Sequence, residues 1–315
     1  MQLLLSEEIH ITSASKKMGV GRFGDVLACN FLKKKEVKRA SNFERFDLNE
    51  DGVVVGSPDL NKSNRTLVGE RVAVKQFRHQ KAFLPPKMGE VGLHEIRAMI
   101  RLSGEGVVNF LGACVEKPNL MIVTELFNVG SFHEFVRDEE AYASLPIKDR
   151  LGLLHGAATG LKTIHDNCTV HGDIKSHNLL VRKNEATNKY SCAWGDLGTS
   201  IVLPSKDGIC KIEQGTSGWT APEVFTGEGY GLPADIFSFG ILLCDASVVG
   251  GFKNQLVGMP TDKYVKAVKR GYLPHLQNDG TGVSELVEFC SRFDPKMRPT
   301  IDQVQKRLAE AAAAA

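Results

Sequence analysis

The chain has 315 residues, 42% hydrophobic and 24% charged, with a formal net charge of +2. That length allows one large or two modest cores, and the near-neutral balance gives no reason to expect nucleic-acid or membrane binding. Seven scattered cysteines (29, 114, 168, 192, 210, 244 and 290) form no Cys-x-x-Cys and no metal spacing, which suits a reducing, cytoplasmic compartment better than a disulfide framework. No apolar run approaches the ~20 residues needed to span a bilayer. Met1–Leu5 is too short for a signal peptide and lacks its basic start, so it is expected to form a first edge strand.

Taken in chain order, residues 9–30 read as a hairpin around Gly19-Val20-Gly21-Arg22-Phe23-Gly24-Asp25-Val26. Glycines let a backbone approach phosphates closely, although alone the pattern fits a surface hairpin equally well. Residues 33–66 are polar, charged and long for a connection within a compact unit. They are expected to be a surface insertion, disordered in part or carrying its own hairpin. Inside it, Asp47–Gly52 mimics the start of an EF-hand loop, but the twelfth position is Pro58 rather than a bidentate Glu, which favours a turn. Val72-Ala73-Val74-Lys75 alternates as a strand and ends on a Lys.

Residues 92–102 have helical spacing, with Ile96, Met99 and Ile100 expected on one stripe and Glu95 bordering it; Glu90 lies before the stripe begins. Residues 107–130 read as two strands, the second being Asn119–Leu126, which ends at Phe127–Ser131. From Phe132 onward the pattern is helix-rich, and a long apolar helix over Leu151–His165 leads into His171-Gly172-Asp173-Ile174-Lys175-Ser176-His177-Asn178. A polar hairpin over Arg182–Trp194 is expected to be a surface excursion without catalytic meaning. Asp196-Leu197-Gly198, Gly215-Thr216, Ala221-Pro222-Glu223, Asp235–Gly240 at the head of an apolar helix, and Asp294–Thr300 follow. The closing Ala311–Ala315 run extends a helix.

These motifs, in this order from about Ile9 to Leu308, resemble the eukaryotic protein kinase family. The resemblance implies an α+β, two-lobed fold: a small antiparallel sheet lobe with one helix over 1–127, carrying the 33–66 insertion, and a mainly helical lobe over 128–315 with an activation segment over 196–223. It implies ATP and Mg²⁺, with Mn²⁺ as the alternative ion, bound between the lobes, and protein substrates. Gly19, Val20, Gly21 and Gly24 would cover the phosphates, Val26 and Ala73 the adenine, and Leu180 would lie below it. Thr124 takes the gatekeeper position, and Glu125 and Phe127 supply hinge backbone. Lys75, paired with Glu95, would hold the α- and β-phosphates. Asp173 would orient the acceptor hydroxyl and take its proton, Lys175 would neutralise the moving phosphoryl group, and Asn178 and Asp196 would hold the metal. Thr216 would contact Asp173 and Lys175, Glu223 would pair with Arg298, and His171 would pack in the core beneath the loop.

Subgroup features are mixed. Lys175 and Gly215-Thr216 look Ser/Thr-specific. Leu111–Cys114, Gly218–Glu223 and the 288–300 region look tyrosine-kinase-like. The mixture is similar to the tyrosine-kinase-like group, whose members mostly phosphorylate Ser and Thr; dual or Tyr specificity stays open. Three departures from the family pattern matter, one being the Arg182–Trp194 hairpin, longer and more polar than usual in kinases. Gly172 stands where most kinases have an Arg that grips an activation-loop phosphate, so activity is expected not to depend on such a phosphate, and slow chemistry is expected. Leu197 replaces the usual Phe, with little effect expected. Ser200, Ser205, Thr216 and Ser217 are candidate phosphosites, each of which reads as readily as an ordinary loop hydroxyl. The rival reading is a pseudokinase scaffold; against it, Lys75, Glu95, Asp173, Asn178 and Asp196 are all present. A small-molecule kinase is disfavoured by Thr216, Ala221–Glu223 and Arg298. No nucleic acid partner or membrane insertion is expected, and nothing in the residues speaks to oligomeric state.

Overall fold

A computed structural model describes residues 9–10, 16–21, 24–31, 47–48, 54–55, 71–77, 86–116, 119–272, 276 and 280–315. The chain divides into two compact units, Met1–Ile96 with Phe110–Leu126, and Arg97–Asn109 with Phe127–Ala315, and so passes between them three times.

The first unit is built on an antiparallel sheet. Its strands are β1 (Ile9–His10), β2 (Lys16–Gly21), β3 (Gly24–Phe31), β6 (Arg71–Phe77), β7 (Phe110–Glu116) and β8 (Asn119–Glu125). They run in the order β1-β3-β6-β8-β7, with β2 also on β3. β2 and β3 pair through Gly19↔Val26 to Gly21↔Gly24, so the glycine motif does lie in a hairpin. Val72, Ala73 and Val74 are buried at 8% exposure or less, as expected of a central strand covered on both faces. In the insertion, β4 (Asp47–Leu48) and β5 (Val54–Val55) pair antiparallel, so the chain reverses over the EF-hand-like stretch. Met1–Leu5 and the rest of the insertion lie outside the described residues.

Helix α1 (Pro86–Arg101) begins earlier than its apolar spacing suggests. Its buried face holds Gly92, Glu95, Ile96, Ala98 and Met99, with Leu102 buried just past its end, whereas Ile100 is 46% exposed. The expected stripe is therefore corrected. The buried arc is centred between Glu95 and Met99, and Ile100, one residue on, is rotated out of it. Glu95 sits within the buried face rather than at its border.

The second unit is mainly helical. It comprises β9 (Gly130–Ser131), α2 (Phe132–Arg137), α3 (Glu139–Ala143), α4 (Ile147–Asp166), β10 (Thr169–Val170), β11 (Leu179–Asn184), β12 (Lys189–Trp194), β13 (Ile201–Val202), α5 (Pro233–Ser247), α6 (Thr261–Lys269), α7 (Val283–Cys290) and α8 (Ile301–Ala314). Residues 234–246 of α5 are all buried, which explains its lack of a polar face: it is the central rod of this unit. Capping boxes at Ser131/Glu134 and Thr300/Gln303 start α2 and α8. The β11–β12 hairpin is turned by Asn184, whose Oδ1 accepts from the N–H groups of Ala186 and Thr187, and its tip is exposed.

Two glycines decide how closely α4 meets the chain before β7. A Cβ on Gly160 would lie 2.7 Å from the Gly106 carbonyl carbon and 2.9 Å from Trp194 Cδ1. Trp194 is fully buried. Its indole N–H donates to Ala157 O at 2.8 Å, and its backbone exchanges hydrogen bonds with Gly106 and Val108 at 2.8 and 2.9 Å. This packing fixes the end of β12, from which Gly195 and Asp196 follow.

Candidate active site

The first unit contributes a buried ion pair. Lys75 Nζ lies 2.8 Å from both Glu95 carboxylate oxygens, the side chains being 12% and 2% exposed. The register explains the arrangement. Lys75 lies opposite Val26 and Ile122, and Ala73 opposite Thr124. Ala73, Lys75, Ile122 and Thr124 thus share one sheet face. Thr124, 9% exposed, donates its hydroxyl to the Glu125 carbonyl at 3.2 Å. Glu90 lies on α1, and of the two candidates it is Glu95 that meets the lysine.

The second unit contributes a carboxylate held from three sides. Asp173 Oδ2 accepts from Lys175 Nζ at 2.6 Å and Asn178 Nδ2 at 2.9 Å, and Oδ1 accepts from the Thr216 hydroxyl at 2.8 Å. Lys175 Nζ also donates to Thr216 Oγ1 at 3.0 Å, and Asn178 Nδ2 to the Asp173 carbonyl at 2.7 Å. An ionised carboxylate has about four acceptor positions. These bonds occupy three.

The loop that carries Asp173 is tied down by groups far away in sequence. Buried Asp235, 2% exposed, accepts the His171 N–H at Oδ2 (2.7 Å) and the Gly172 N–H at Oδ1 (3.0 Å); His165 Nε2 lies 3.0 Å from Oδ2. His171 is fully buried against Trp194, with Nε2 at 3.2 Å from the Gly195 carbonyl and Nδ1 at 3.3 Å from the Asp173 N–H. Both contacts are met by the neutral tautomer protonated at Nε2. The ring thereby joins the Asp173 loop to the turn before Asp196. Gly195 N–H in turn donates to the Asn178 carbonyl at 2.9 Å. Asp196 is held at φ 52°, ψ 64°, a left-handed conformation costly for a non-glycine residue and characteristic of functional turns. Leu180 approaches Gly195, where an added Cβ would touch its Cδ1 at 3.4 Å, and Phe127 is buried beneath the Arg182 guanidinium at 4.9 Å.

Around this core, Glu223 and Arg298 form a bidentate pair at 2.9 and 2.5 Å, with Arg298 also donating to three carbonyls. The sequence motifs name both residues. Asp235 opens the Asp235–Gly240 motif and His165 closes the apolar Leu151–His165 stretch, and neither pattern points to the loop they hold. The one available signal was an Asp opening an otherwise apolar helix, where a buried charge must find partners. Gly19, Val20, Gly21, Gly24 and Val26 lie on the β2–β3 hairpin, and Arg22 and Phe23 fall outside the described residues.

His133 and His177 stack at 3.7 Å beside the loop. Burial, the neighbouring His133 and then the Lys175 charge hold His177 down at about 4. Burial and Arg137 lower His133. Among the described residues, no three His, Cys, Asp or Glu side chains converge on a metal-sized site, and no helix is long and apolar enough to cross a membrane.

Comparison with known proteins gives the family. Residues 53–308 match the family described as protein tyrosine and serine/threonine kinase. The chain is 28% identical over 248 residues to the serine/threonine-protein kinase STY46 of Arabidopsis thaliana, which covers 78% of this chain and 41% of that protein. It is 30% identical over 234 residues to the dual specificity testis-specific protein kinase 2 of Mus musculus, covering 69% of this chain and 37% of that one. The chain therefore spans well under half the length of these relatives. It belongs to the protein kinase family, with serine/threonine and dual-specificity kinases among its relatives.

Proposed function

We propose that this chain transfers the γ-phosphoryl group of ATP to Ser and Thr hydroxyls of proteins, as a member of the tyrosine-kinase-like group that works without a phosphate on its activation segment. One observation carries the reading: the Asp173 carboxylate is braced by Lys175, Asn178 and Thr216 with one acceptor position left over. An acceptor hydroxyl that donates there points its oxygen away from the carboxylate, toward an incoming phosphorus. As the new O–P bond forms and the bond to the β–γ bridging oxygen breaks, the hydroxyl proton passes to Asp173 and ADP departs. Lys175, 2.6 Å from Asp173, supplies positive charge where the phosphoryl group crosses. Lys75, kept extended by Glu95, is the cation for the α- and β-phosphates.

The donors present fit a divalent ion. Asn178 spends Nδ2 on Asp173, which leaves Oδ1 as its oxygen donor. With the Asp196 carboxylate this makes two hard oxygen ligands, the set that Mg²⁺ takes when phosphates and water complete its shell. Such an ion would neutralise phosphate charge. The Ser/Thr assignment rests on Thr216, whose hydroxyl bridges Asp173 and Lys175, and on the named specificities of the relatives.

The test is transfer from labelled Mg-ATP to a generic basic protein and to the chain itself, comparing wild type with Asp173→Ala. Transfer lost in the variant, with phosphoserine and phosphothreonine on acid hydrolysis, is expected. Phosphatase treatment should leave turnover intact. Nucleotide binding without transfer would instead assign a scaffold, and mainly phosphotyrosine would overturn the specificity.

A further inference from the structure

The segment between Asp196 and Thr216 has to be held in place for Thr216 to meet Asp173, and Gln214 ties its two ends together. Its Nε2 donates to the Thr199 carbonyl at 2.5 Å. Thr199, three residues after Asp196, donates its own hydroxyl to the His171 carbonyl at 3.1 Å. The amide lies directly against the bare Cα of Gly172. A Cβ there would overlap Gln214 Nε2 and stand 2.9 Å from Thr199 O, and Gly172 is at φ +78°. Two residues beyond Gln214, the Thr216 hydroxyl reaches Asp173 Oδ1.

We infer that Gln214 is a positioning residue for phosphoryl transfer: seated on Gly172, it locks together the Asp173 loop, the turn after Asp196 and the segment bearing Thr216. The inference rests on the kinase reading and adds the device that would make an activation-segment phosphate unnecessary. The chemistry selects an amide. The neighbouring acceptor is a carbonyl, so the side chain must donate, and it must be flat to lie on a Cα. A carboxylate of the same shape would face the Thr199 oxygen with like partial charge. Neutral bonds order the approach to Gln214 as well. Cys210 and Tyr230 exchange backbone hydrogen bonds at 2.8 and 2.9 Å, and the Tyr230 hydroxyl donates to the Ile212 carbonyl at 2.6 Å. Gly172 is thus the seat of a second, uncharged brace.

The experiment compares wild type with Gln214→Ala, Gln214→Glu, Gly172→Ala and the Gly172→Ala/Gln214→Ala double variant, by steady-state kinetics with varied acceptor and varied ATP, and by amide hydrogen exchange over residues 203–216. Both Gln214 variants should lose about 10- to 100-fold in kcat/KM for the acceptor, the range a small misplacement of reacting groups produces. KM for ATP and the thermal midpoint should hold, and exchange over 203–216 should rise. Gly172→Ala should be costly alone and less so once Gln214 is Ala, because the clash with the amide is then relieved while the strain at φ +78° and the contact with Thr199 O remain. Unchanged acceptor kinetics with unchanged exchange, or additive effects, would overturn the inference. If Gln214→Ala does not fold, Gln214→Glu carries the same readings. If wild type transfers no phosphate, the kinase reading fails on its own, and the exchange arm still decides whether Gln214 holds the segment.

Discussion

Asp235→Asn isolates the buried anchor of the Asp173 loop with almost no change of shape. The carboxylate receives His171 N–H and His165 at Oδ2 and Gly172 N–H at Oδ1. An asparagine can turn only one oxygen toward these donors. Facing the pair at Oδ2, it sets its NH₂ against the Gly172 N–H. That donor is then unmet, which costs about 1–3 kcal/mol. The two retained bonds change from charge-assisted to neutral, losing about 1 kcal/mol each. Relief of the buried charge returns part of this, so the net loss is about 3 kcal/mol, a large share of the ~5–15 kcal/mol that holds a domain together. Urea unfolding with intrinsic fluorescence should show the loss in the midpoint, and kcat should fall because the anchored backbone is contiguous with Asp173. A variant within about 0.5 kcal/mol of wild type would refute the argument, since the carboxylate's three bonds would then be replaceable by one amide.

Three further outcomes follow from the geometry. Glu95→Ala removes the carboxylate that meets Lys75 Nζ at 2.8 Å, in a site where the lysine is 12% exposed. It should destabilise the first unit by about 1.5–3 kcal/mol, the worth of a hydrogen bond to a charged group, and raise KM for ATP; a loss under about 1 kcal/mol by denaturant titration would count against the buried pair. Gly160→Ala should destabilise by about 1–2 kcal/mol, because crowding against Gly106 and Trp194 outweighs the ~1 kcal/mol that alanine gains in a helix; a raised thermal midpoint would refute this. The His133–His177 stack makes the second unit sensitive to acid. Both imidazoles are held below their ordinary value, His177 at about 4, so the unfolded chain binds more protons between about pH 6.5 and 4. Their contribution is complete above that window and lost as pH falls through it. His177→Asn should flatten the dependence of the urea midpoint on pH, and an unchanged slope would show that the protons bind elsewhere.

The α+β character, the order of the elements and most of the residues that meet at Asp173 were legible in the sequence. The reason is the resemblance to kinase motifs, which implies that Asp173, Lys175 and Thr216 meet; Asn178 was legible there only as a metal ligand, and its bond to Asp173 was not. Lys75 and Glu95 were legible as a pair through the kinase resemblance, periodicity having placed one on a strand and the other on a helix, although the face of α1 was misjudged at Ile100. Only the tertiary structure decided which groups hold the loop. Asp235 serves His171 and His165 across 64 and 70 residues, and Gln214 reaches Thr199 across 15. Gly160 owes its lack of a side chain to Gly106 and Trp194, not to its own helix. Local sequence encodes what a segment prefers and which side chains it presents. Satisfying a buried charge or seating an amide on a bare Cα depends on atoms brought together by the fold, and no period or motif in either partner records the meeting.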